Sequence, residues 1–218
     1  MTPLHRHQLV RLTEAGWHEL QARPWDDDAR ACVAHWAAQR LPLVVTRQPP
    51  RVGAPHPDDE LALGLAAPLC WQRRRLALAT TRRHVGWFGE FPGIDDFVRT
   101  LPARCRQPWR QLSESLLAAG ATPRVYGSHG WQSLTGLAYV HAHSDVDLWT
   151  AVADAAQADT VSAFFDAFAP KGAPRLDGEL VFPGGQAVAW REWRAWRSGR
   201  CRAVLAKTLA GASLVASW

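Results

Sequence analysis

A run of short elements between residues 123 and 168 constrains the fold most. PRVYGS reads as a strand ending in a turn, GWQSLTGL as a helix, SDVDLWTAV as a second strand and AQADTVSAFFDAF as a second helix. The assignments follow the hydrophobic period, which differs between strands and helices. This βαβα run predicts an α/β (α+β) fold for the second half of the chain.

The 218 residues are enough for two small domains, each with its own core. Residues 1–82 are predicted to form a small mixed α/β module, from a helix in DDDARACVAHWAAQR and strands in LPLVVTR and RRRLALATTRR. GWFGEFP is interpreted as a packed connector. Residues 93–218 are predicted to form the second domain, in which LDGELVF and QAVAWREW are predicted strands of a hairpin turning at PGG.

The composition leaves several classes of partner open and excludes others. The formal net charge is +5 and nearly all of the positive charge is arginine, which suits phosphates and acidic proteins. No block of like charge is longer than RRR at 73–75, so a nucleic-acid partner is not expected. The four cysteines are scattered, and no apolar run is long enough for a secretory or membrane segment. We expect a cytoplasmic protein with no membrane partner.

The pair Asp145 and Asp147 is the leading candidate for chemistry. Side chains alternate along a strand, so both carboxylates point to the same side, whereas Val146 and Leu148 point to the other. Two such charges repel each other unless a divalent cation neutralises them. The alternative is that Asp-x-Asp occurs by chance, as it does from Asp26.

A phosphate site is predicted at the turn that precedes the helix before this strand. Gly127 and Ser128 lie where a strand turns into a helix, and a helix start offers backbone N–H groups, a positive dipole end and here a hydroxyl. The alternative is a simple turn with an N-cap. A third acid is expected on an adjacent strand, and either Asp177 or Glu179 can supply it, with Asp177 favoured. The alternative is that both acids flank a solvated hairpin.

A second motif also matches this region: His141, His143 and Asp145 have the spacing of the first residues of a zinc-hydrolase motif. Such a site needs further histidines later in the chain, and the last histidine of this sequence is His143. The two histidines are therefore interpreted as loop surface.

The Gly-Ser, the helix and the Asp-x-Asp strand resemble the nucleotidyltransferase superfamily that shares its fold with DNA polymerase β. VYGSHGWQSLTGLAYV, SDVDLW, LDGELVFPGGQAVAWREW and VLAKTL further resemble the phosphoribosyl-dephospho-CoA transferases of malonate decarboxylase, its holo-acyl-carrier-protein synthases. RHQLVRL, VVTRQ and LALGLAAPLCWQRRRLALA extend the likeness to the first module.

The resemblance implies transfer of the phosphoribosyl-dephospho-CoA group from triphosphoribosyl-dephospho-CoA to a serine of the acyl-carrier subunit of malonate decarboxylase, with release of pyrophosphate. It implies that Asp145 and Asp147 hold Mg²⁺ and that Gly127 and Ser128 hold the triphosphate. The first module, which has no catalytic constellation, is assigned to binding the carrier or the CoA end of the donor.

Basic residues of the second domain are candidates to neutralise pyrophosphate. The candidates are Lys207, Arg191, Arg194 and Arg124, and for each the alternative is surface charge or a salt bridge. Two other functions stay open: a nucleotidyltransferase acting on RNA or another protein, and a binder without enzymatic activity that kept the fold.

Overall fold

The structure is a computed structural model that describes residues 4–49, 56–170, 172 and 174–218. Two compact units are present: the chain up to Glu90 together with Leu137–Tyr139, and Phe91–Gly136 together with Val140–Trp218. Each unit contains helices and a β-sheet. The predicted α/β (α+β) class is confirmed.

The described strands of the first unit form an antiparallel sheet in the order β4-β3-β2-β1-β5. Alternating burial along its strands places leucines and valines against two helices. The elements are β1 (Leu9–Leu12), α1 (Glu14–Gln21), α2 (Asp27–Ala38), β2 (Leu43–Val45), β3 (Glu60–Ala66), β4 (Arg75–Thr81) and β5 (Val85–Gly89).

The first module differs from its prediction in the segment GWFGEFP, and its elements β1, α1 and β3 were not predicted. The helix predicted from Asp26 is α2, and Asp26 caps it by accepting the N–H of Ala29 at 2.9 Å. The interpretation of GWFGEFP as a connector is wrong for its first half, which belongs to β5. That segment pairs with β1, with Leu9 opposite Gly89. The pairing gives hydrogen-bond partners to backbone groups along the edge of β1 that faces away from β2. Residues 50–55, inside the Pro/Gly-rich stretch RQPPRVGAPHPDDE, lie outside the described residues.

The second unit contains a sheet in the order β11-β10-β9-β8-β7-β6. Its neighbouring strands are antiparallel except for β7 and β8, which are parallel and are connected through α6. The elements are α3 (Ile94–Val98), α4 (Ala103–Ala118), β6 (Pro123–Tyr126), α5 (Gly127–Thr135), β7 (Val146–Ala151), α6 (Ala155–Ala167), β8 (Leu176–Val181), β9 (Ala187–Ala189), α7 (Trp190–Arg197), β10 (Val204–Lys207) and β11 (Ala212–Val215).

Alternation along β7 and β8 separates the core from the acidic side chains. Val146, Leu148, Leu176 and Leu180 belong to a buried cluster that also contains aromatic residues of α3, α4, α6 and α7. Since successive side chains of a strand point to opposite faces, the acids between these residues project away from that core. The core thereby determines which face of the sheet carries charge.

The predicted hairpin is confirmed, but its second strand is shorter than expected. Glu179 pairs with Ala189 and Val181 with Ala187, whereas α7 begins at Trp190. Reading WREW as strand was wrong because its tryptophans are three residues apart, and this spacing buries both on the same side of a helix. Within the described part of the chain, no helix is long and apolar enough to cross a membrane.

Candidate functional site

Asp145 and Asp147 lie at the start of β7, on the side of the sheet predicted for them. Asp147 is the second residue of the strand and Asp145 directly precedes it, and both are half-buried. Val146 and Leu148, which alternate with them, are completely buried. The strand therefore projects both carboxylates from one side.

Asp177 joins the pair through strand register. In the parallel ladder of β7 and β8, Asp147 is opposite Asp177 and Trp149 is opposite Glu179. Burial raises the pKa of Asp147 to about 6, and the negative charges of Asp177, Asp145 and Glu179 act in the same direction. The structure therefore brings the predicted acids into a single cluster whose members repel one another.

Gly127 lies against the carboxylate of Asp147. The two meet because Tyr126, the last residue of β6, is opposite Asp147 in the sheet. A Cβ atom at Gly127 would overlap the carboxylate of Asp147 and lie 3.1 Å from its Cγ, and the φ of +63° also favours glycine. The start of α5 and the acidic strand are thus in direct contact.

The start of α5 carries hydrogen-bond donors that helix geometry leaves available. Among the described residues, no side chain caps this end of the helix. The first N–H groups of a helix have no intrahelical partner and carry the positive end of the dipole. Ser128, the second residue of α5, is half-buried. Gly127 and Ser128 therefore form a local arrangement that can accept an anionic oxygen.

Arg175 contacts the cluster and was not predicted. Its Nε donates to Oδ1 of Asp145 at 3.0 Å and its Nη2 donates to Oδ2, so the contact is bidentate. Nη2 also lies 3.9 Å from Oδ2 of Asp177. These hydrogen bonds lower the pKa of Asp145. The signal was present in RLDGEL, where period-two alternation puts Arg175 and Asp177 on the same face.

Arg191 is held beside Asp177. Its Nη1 donates to Oδ1 of Asp177 and its Nη2 donates to the carbonyl oxygen of Leu176, each at 3.0 Å. Its guanidinium carbon lies 4.1 Å from the ring centroid of Trp190. Of the basic residues predicted to meet pyrophosphate, Arg191 is thus placed at the carboxylate cluster.

The other predicted basic residues have different surroundings. Nζ of Lys207 lies 2.9 Å from Oε1 of Glu179, and Glu179 is only 4% exposed, so Glu179 does not belong to a solvated hairpin. Arg194 pairs with Asp166 at 2.7 Å. Arg124 is opposite Trp149 in the ladder of β6 and β7.

His129 of α5 is a further titratable residue near the cluster. It is 6% exposed, its ring packs edge-on against Phe97, and its Nε2 is buried with no hydrogen-bond partner among the described residues. Burial lowers the pKa of His129, while the Ser144 carbonyl and the Asp145 charge oppose that shift. His141 and His143 are exposed in a turn, consistent with the loop-surface interpretation.

The chemistry of the cluster fits a magnesium ion. Carboxylate oxygens are the ligands Mg²⁺ prefers. Burial, and after it the neighbouring carboxylates, raise the pKa of Asp147, and a bound divalent cation would stabilise its charged form. Within the described residues, no set of three or more His, Cys, Asp or Glu side chains is already arranged as a metal site. Arg175 and Arg191 instead contact Asp145 and Asp177.

Comparison with known proteins identifies related sequences for both units. Residues 93–217 match the family described as Phosphoribosyl-dephospho-CoA transferase MdcG C-terminal domain, and residues 5–91 match its N-terminal domain. No solved structure matches the chain.

Individual relatives agree with these matches. A phosphoribosyl-dephospho-CoA transferase of Bradyrhizobium diazoefficiens is 33% identical over 190 residues, which cover 87% of this chain and 82% of the relative. One from Xanthomonas campestris pv. campestris is 33% identical over 210 residues, which cover 96% of this chain and 93% of the relative. The resemblance inferred from the sequence motifs is confirmed, and the chain belongs to the phosphoribosyl-dephospho-CoA transferase family of enzymes.

Proposed function

We propose that this phosphoribosyl-dephospho-CoA transferase uses triphosphoribosyl-dephospho-CoA as donor and a serine of the acyl-carrier subunit of malonate decarboxylase as acceptor, and that it releases pyrophosphate. The observation that carries the proposal is the contact between Gly127 at the start of α5 and Asp147, itself the register partner of Asp177. A helix start beside a carboxylate cluster suits a reaction at a phosphate.

The start of α5 binds the triphosphate in this proposal. The backbone N–H groups from Gly127 onward and the hydroxyl of Ser128 donate hydrogen bonds to phosphate oxygens, and the helix dipole favours their negative charge. Because Gly127 has no side chain, the backbone and the Asp147 carboxylate approach each other closely. The triphosphate is thereby held next to the acids.

The acids provide the ligands for magnesium. Asp145, Asp147 and Asp177 would hold the magnesium ion, and Glu179 is the alternative to Asp177 as the third acid. When bound there, Mg²⁺ would offset phosphate charge and lower the pKa of the attacking hydroxyl.

In this proposal the site residues orient the donor and the acceptor serine for a substitution reaction at the α-phosphorus of the donor. The serine oxygen forms a bond to the α-phosphorus, the bond from that phosphorus to the bridging oxygen breaks, and pyrophosphate leaves with the bonding electrons while the hydroxyl proton passes to solvent. Arg175 and Arg191, already positioned at Asp145 and Asp177, supply guanidinium groups for the charge that develops on the leaving oxygens.

A basic enzyme suits an acidic acceptor protein. The formal charge of +5 favours long-range attraction to an acidic carrier, an effect that salt weakens. We assign the first unit to binding the carrier or the CoA end of the donor.

Mass spectrometry of the apo carrier subunit, after incubation with donor, Mg²⁺ and this enzyme, tests the proposal. The expected result is one phosphoribosyl-dephospho-CoA adduct on a serine. Asp145→Asn and Asp147→Asn should lose the adduct while keeping the circular dichroism spectrum of the folded protein. Asp154→Asn is the matched control, because Asp154 is an exposed cap of α6 and asparagine also caps helices well. An unmodified carrier, with nucleotide added to RNA or another protein, would support the alternative function.

A further inference from the structure

Asp145 lies directly before β7, outside the ladders that hold the other acids of the cluster. Asp147 is paired with Tyr126 of β6 and with Asp177 of β8, so strand pairing on both sides fixes its backbone. The ladder of β7 and β8 begins only at Val146. The segment before Asp145 must therefore contribute to the position of its carboxylate.

A turn of four residues ends at Ser144, the residue before Asp145. The hydroxyl oxygen of Ser144 accepts the backbone N–H of His141 at 3.0 Å, and the N–H of Ser144 donates to the carbonyl oxygen of His141 at 2.9 Å. Within the turn, the N–H of His143 donates to Nδ1 of His141 at 3.1 Å. Serine hydroxyls commonly close turns by such local bonds to the backbone. Two reciprocal hydrogen bonds thus join the ends of this turn.

The other end of the segment is attached to α5. The N–H of Val140 donates to Oε1 of Gln132, a residue of α5, at 3.0 Å. Residues 141–143 are exposed and Ser144 is half-buried, so hydrophobic packing contributes little to holding the segment in place. Its hydrogen bonds therefore matter more. They connect the helix proposed to bind the triphosphate with the first acid of the cluster.

The contact with Arg175 also holds the carboxylate of Asp145, but it uses the oxygen atoms that are proposed to bind Mg²⁺. A guanidinium group and a cation compete for those oxygens. The turn acts on the backbone before Asp145 and leaves both oxygens available. It is therefore suited to keep Asp145 in place when a cation is bound.

We infer that Ser144 is a positioning residue: its hydroxyl closes the turn from His141 and so directs the Asp145 carboxylate toward the metal site beside α5. The inference rests on the proposed function, specifically on the role of Mg²⁺. In this role Ser144 acts through Asp145 and does not bind the donor or the ion. Without the hydroxyl, the backbone before Asp145 can take other conformations, so fewer molecules present the carboxylate in the binding geometry.

Titration calorimetry of the ligand-free full chain with MgCl₂ measures the effect. We expect Ser144→Ala to weaken Mg²⁺ binding by about tenfold, because one of the acids is then poorly positioned. Ser144→Thr retains the hydroxyl and should bind Mg²⁺ as the wild type does. Ser198→Ala is the matched control, since it removes a hydroxyl that accepts a hydrogen bond from Arg200 beyond the exposed end of α7. It should leave Mg²⁺ affinity unchanged.

Hydrogen exchange of the same proteins tests the turn without any ion. In Ser144→Ala the peptide that covers residues 140–146 should exchange faster, because the N–H of His141 loses its acceptor, while peptides from α6 should exchange as in the wild type. Ser144→Thr should restore the wild-type rate. In the transfer assay, Ser144→Ala should need about tenfold more Mg²⁺ for the half-maximal rate, with little change in the rate at saturating Mg²⁺.

The outcomes separate this inference from the proposed function. Equal Mg²⁺ affinity in the wild type and Ser144→Ala would overturn the positioning role, even if the carrier is modified normally. The same holds if Ser144→Thr binds Mg²⁺ as weakly as Ser144→Ala, or if exchange of the turn is unchanged in Ser144→Ala. Weaker Mg²⁺ binding and faster exchange confined to Ser144→Ala would support the role, even if the carrier subunit is never modified. A wild type that binds no Mg²⁺ would overturn the proposed metal site and this inference together.

Discussion

Asp147 and Asp177 occupy paired positions of the parallel strands β7 and β8. The core on one face of these strands fixes the register, and the register in turn places two negative charges side by side on the other. Burial and this neighbouring charge raise the pKa of Asp147 to about 6. The arrangement costs stability in the absence of a cation, as expected for a site organised around binding.

Asp147→Asn should stabilise the ligand-free protein while abolishing transfer. The folded-state pKa of Asp147 is about 6 and its ordinary value is 3.8, so the folded protein holds this proton more tightly. Stability therefore falls as pH rises through that window, and by pH 8 the cost of burying the charged carboxylate and the repulsion from its neighbours are both fully present. We expect the variant to gain about 1–3 kcal/mol in unfolding free energy at pH 8 and little at pH 4, measured by urea unfolding.

Asp159→Asn is the control for that measurement. Burial favours the neutral form of Asp159, but hydrogen bonds from Arg197 and Trp193 outweigh it, so its pKa is lowered. The stability from this carboxylate is present at neutral pH and is lost as pH falls, so the substitution should destabilise the protein at pH 8. A loss of stability in Asp147→Asn at pH 8 would contradict the assigned repulsion.

Gly127→Ala should disrupt the site through a single methyl group. The added carbon would overlap the Asp147 carboxylate, and the backbone at φ +63° disfavours alanine. We expect the unfolding free energy to fall by about 1–3 kcal/mol and the transfer rate to fall about 100-fold. Gly136→Ala has the same backbone cost at φ +70°, with nothing within 4 Å of its Cβ. Transfer rates of the two variants should therefore differ by far more than their stabilities.

Arg175→Gln should tighten Mg²⁺ binding. The guanidinium lowers the pKa of Asp145 and occupies both of its oxygens, so it competes with a cation for the same carboxylate. At pH 7.5, titration calorimetry should show binding about three- to tenfold tighter in the variant. Arg197→Gln, which removes a similar contact with Asp159, is expected to leave Mg²⁺ affinity unchanged. Weaker Mg²⁺ binding in Arg175→Gln would instead indicate that the arginine helps to shape the site.

Lys207→Met should destabilise the protein through Glu179. The ammonium lies 2.9 Å from a carboxylate that is almost completely buried, and breaking such a pair from one side leaves the remaining charge poorly compensated. Because Lys207 itself is partly exposed, we expect the unfolding free energy to fall by only about 1–3 kcal/mol. The double variant Glu179→Gln, Lys207→Met should recover most of the loss in a urea double-mutant cycle. No recovery would mean that Lys207 stabilises the fold through other contacts.

The sequence predicted the local parts of the site better than its assembly. Gly127, Ser128, Asp145 and Asp147 lie within a single βαβ segment, and their relative placement follows from strand alternation and a helix start. Arg175 was missed because the alternation in RLDGEL shows only that it shares a face with Asp177, and not that it contacts Asp145, which is far away in the sequence. WREW was misread because a short aromatic run fits strand and helix periods almost equally well.

The sequence by itself determined the fold class, the acidic face and the family. These follow from properties of the chain: period-two alternation, a glycine at a strand-to-helix turn and the order of elements. Only the tertiary structure decided that Asp177 is beside Asp147, that Arg175 and Arg191 contact the acids, and that Lys207 pairs with Glu179. The reason is physical: strand order and register are set by burying a common core, and that core is assembled from segments far apart in the sequence.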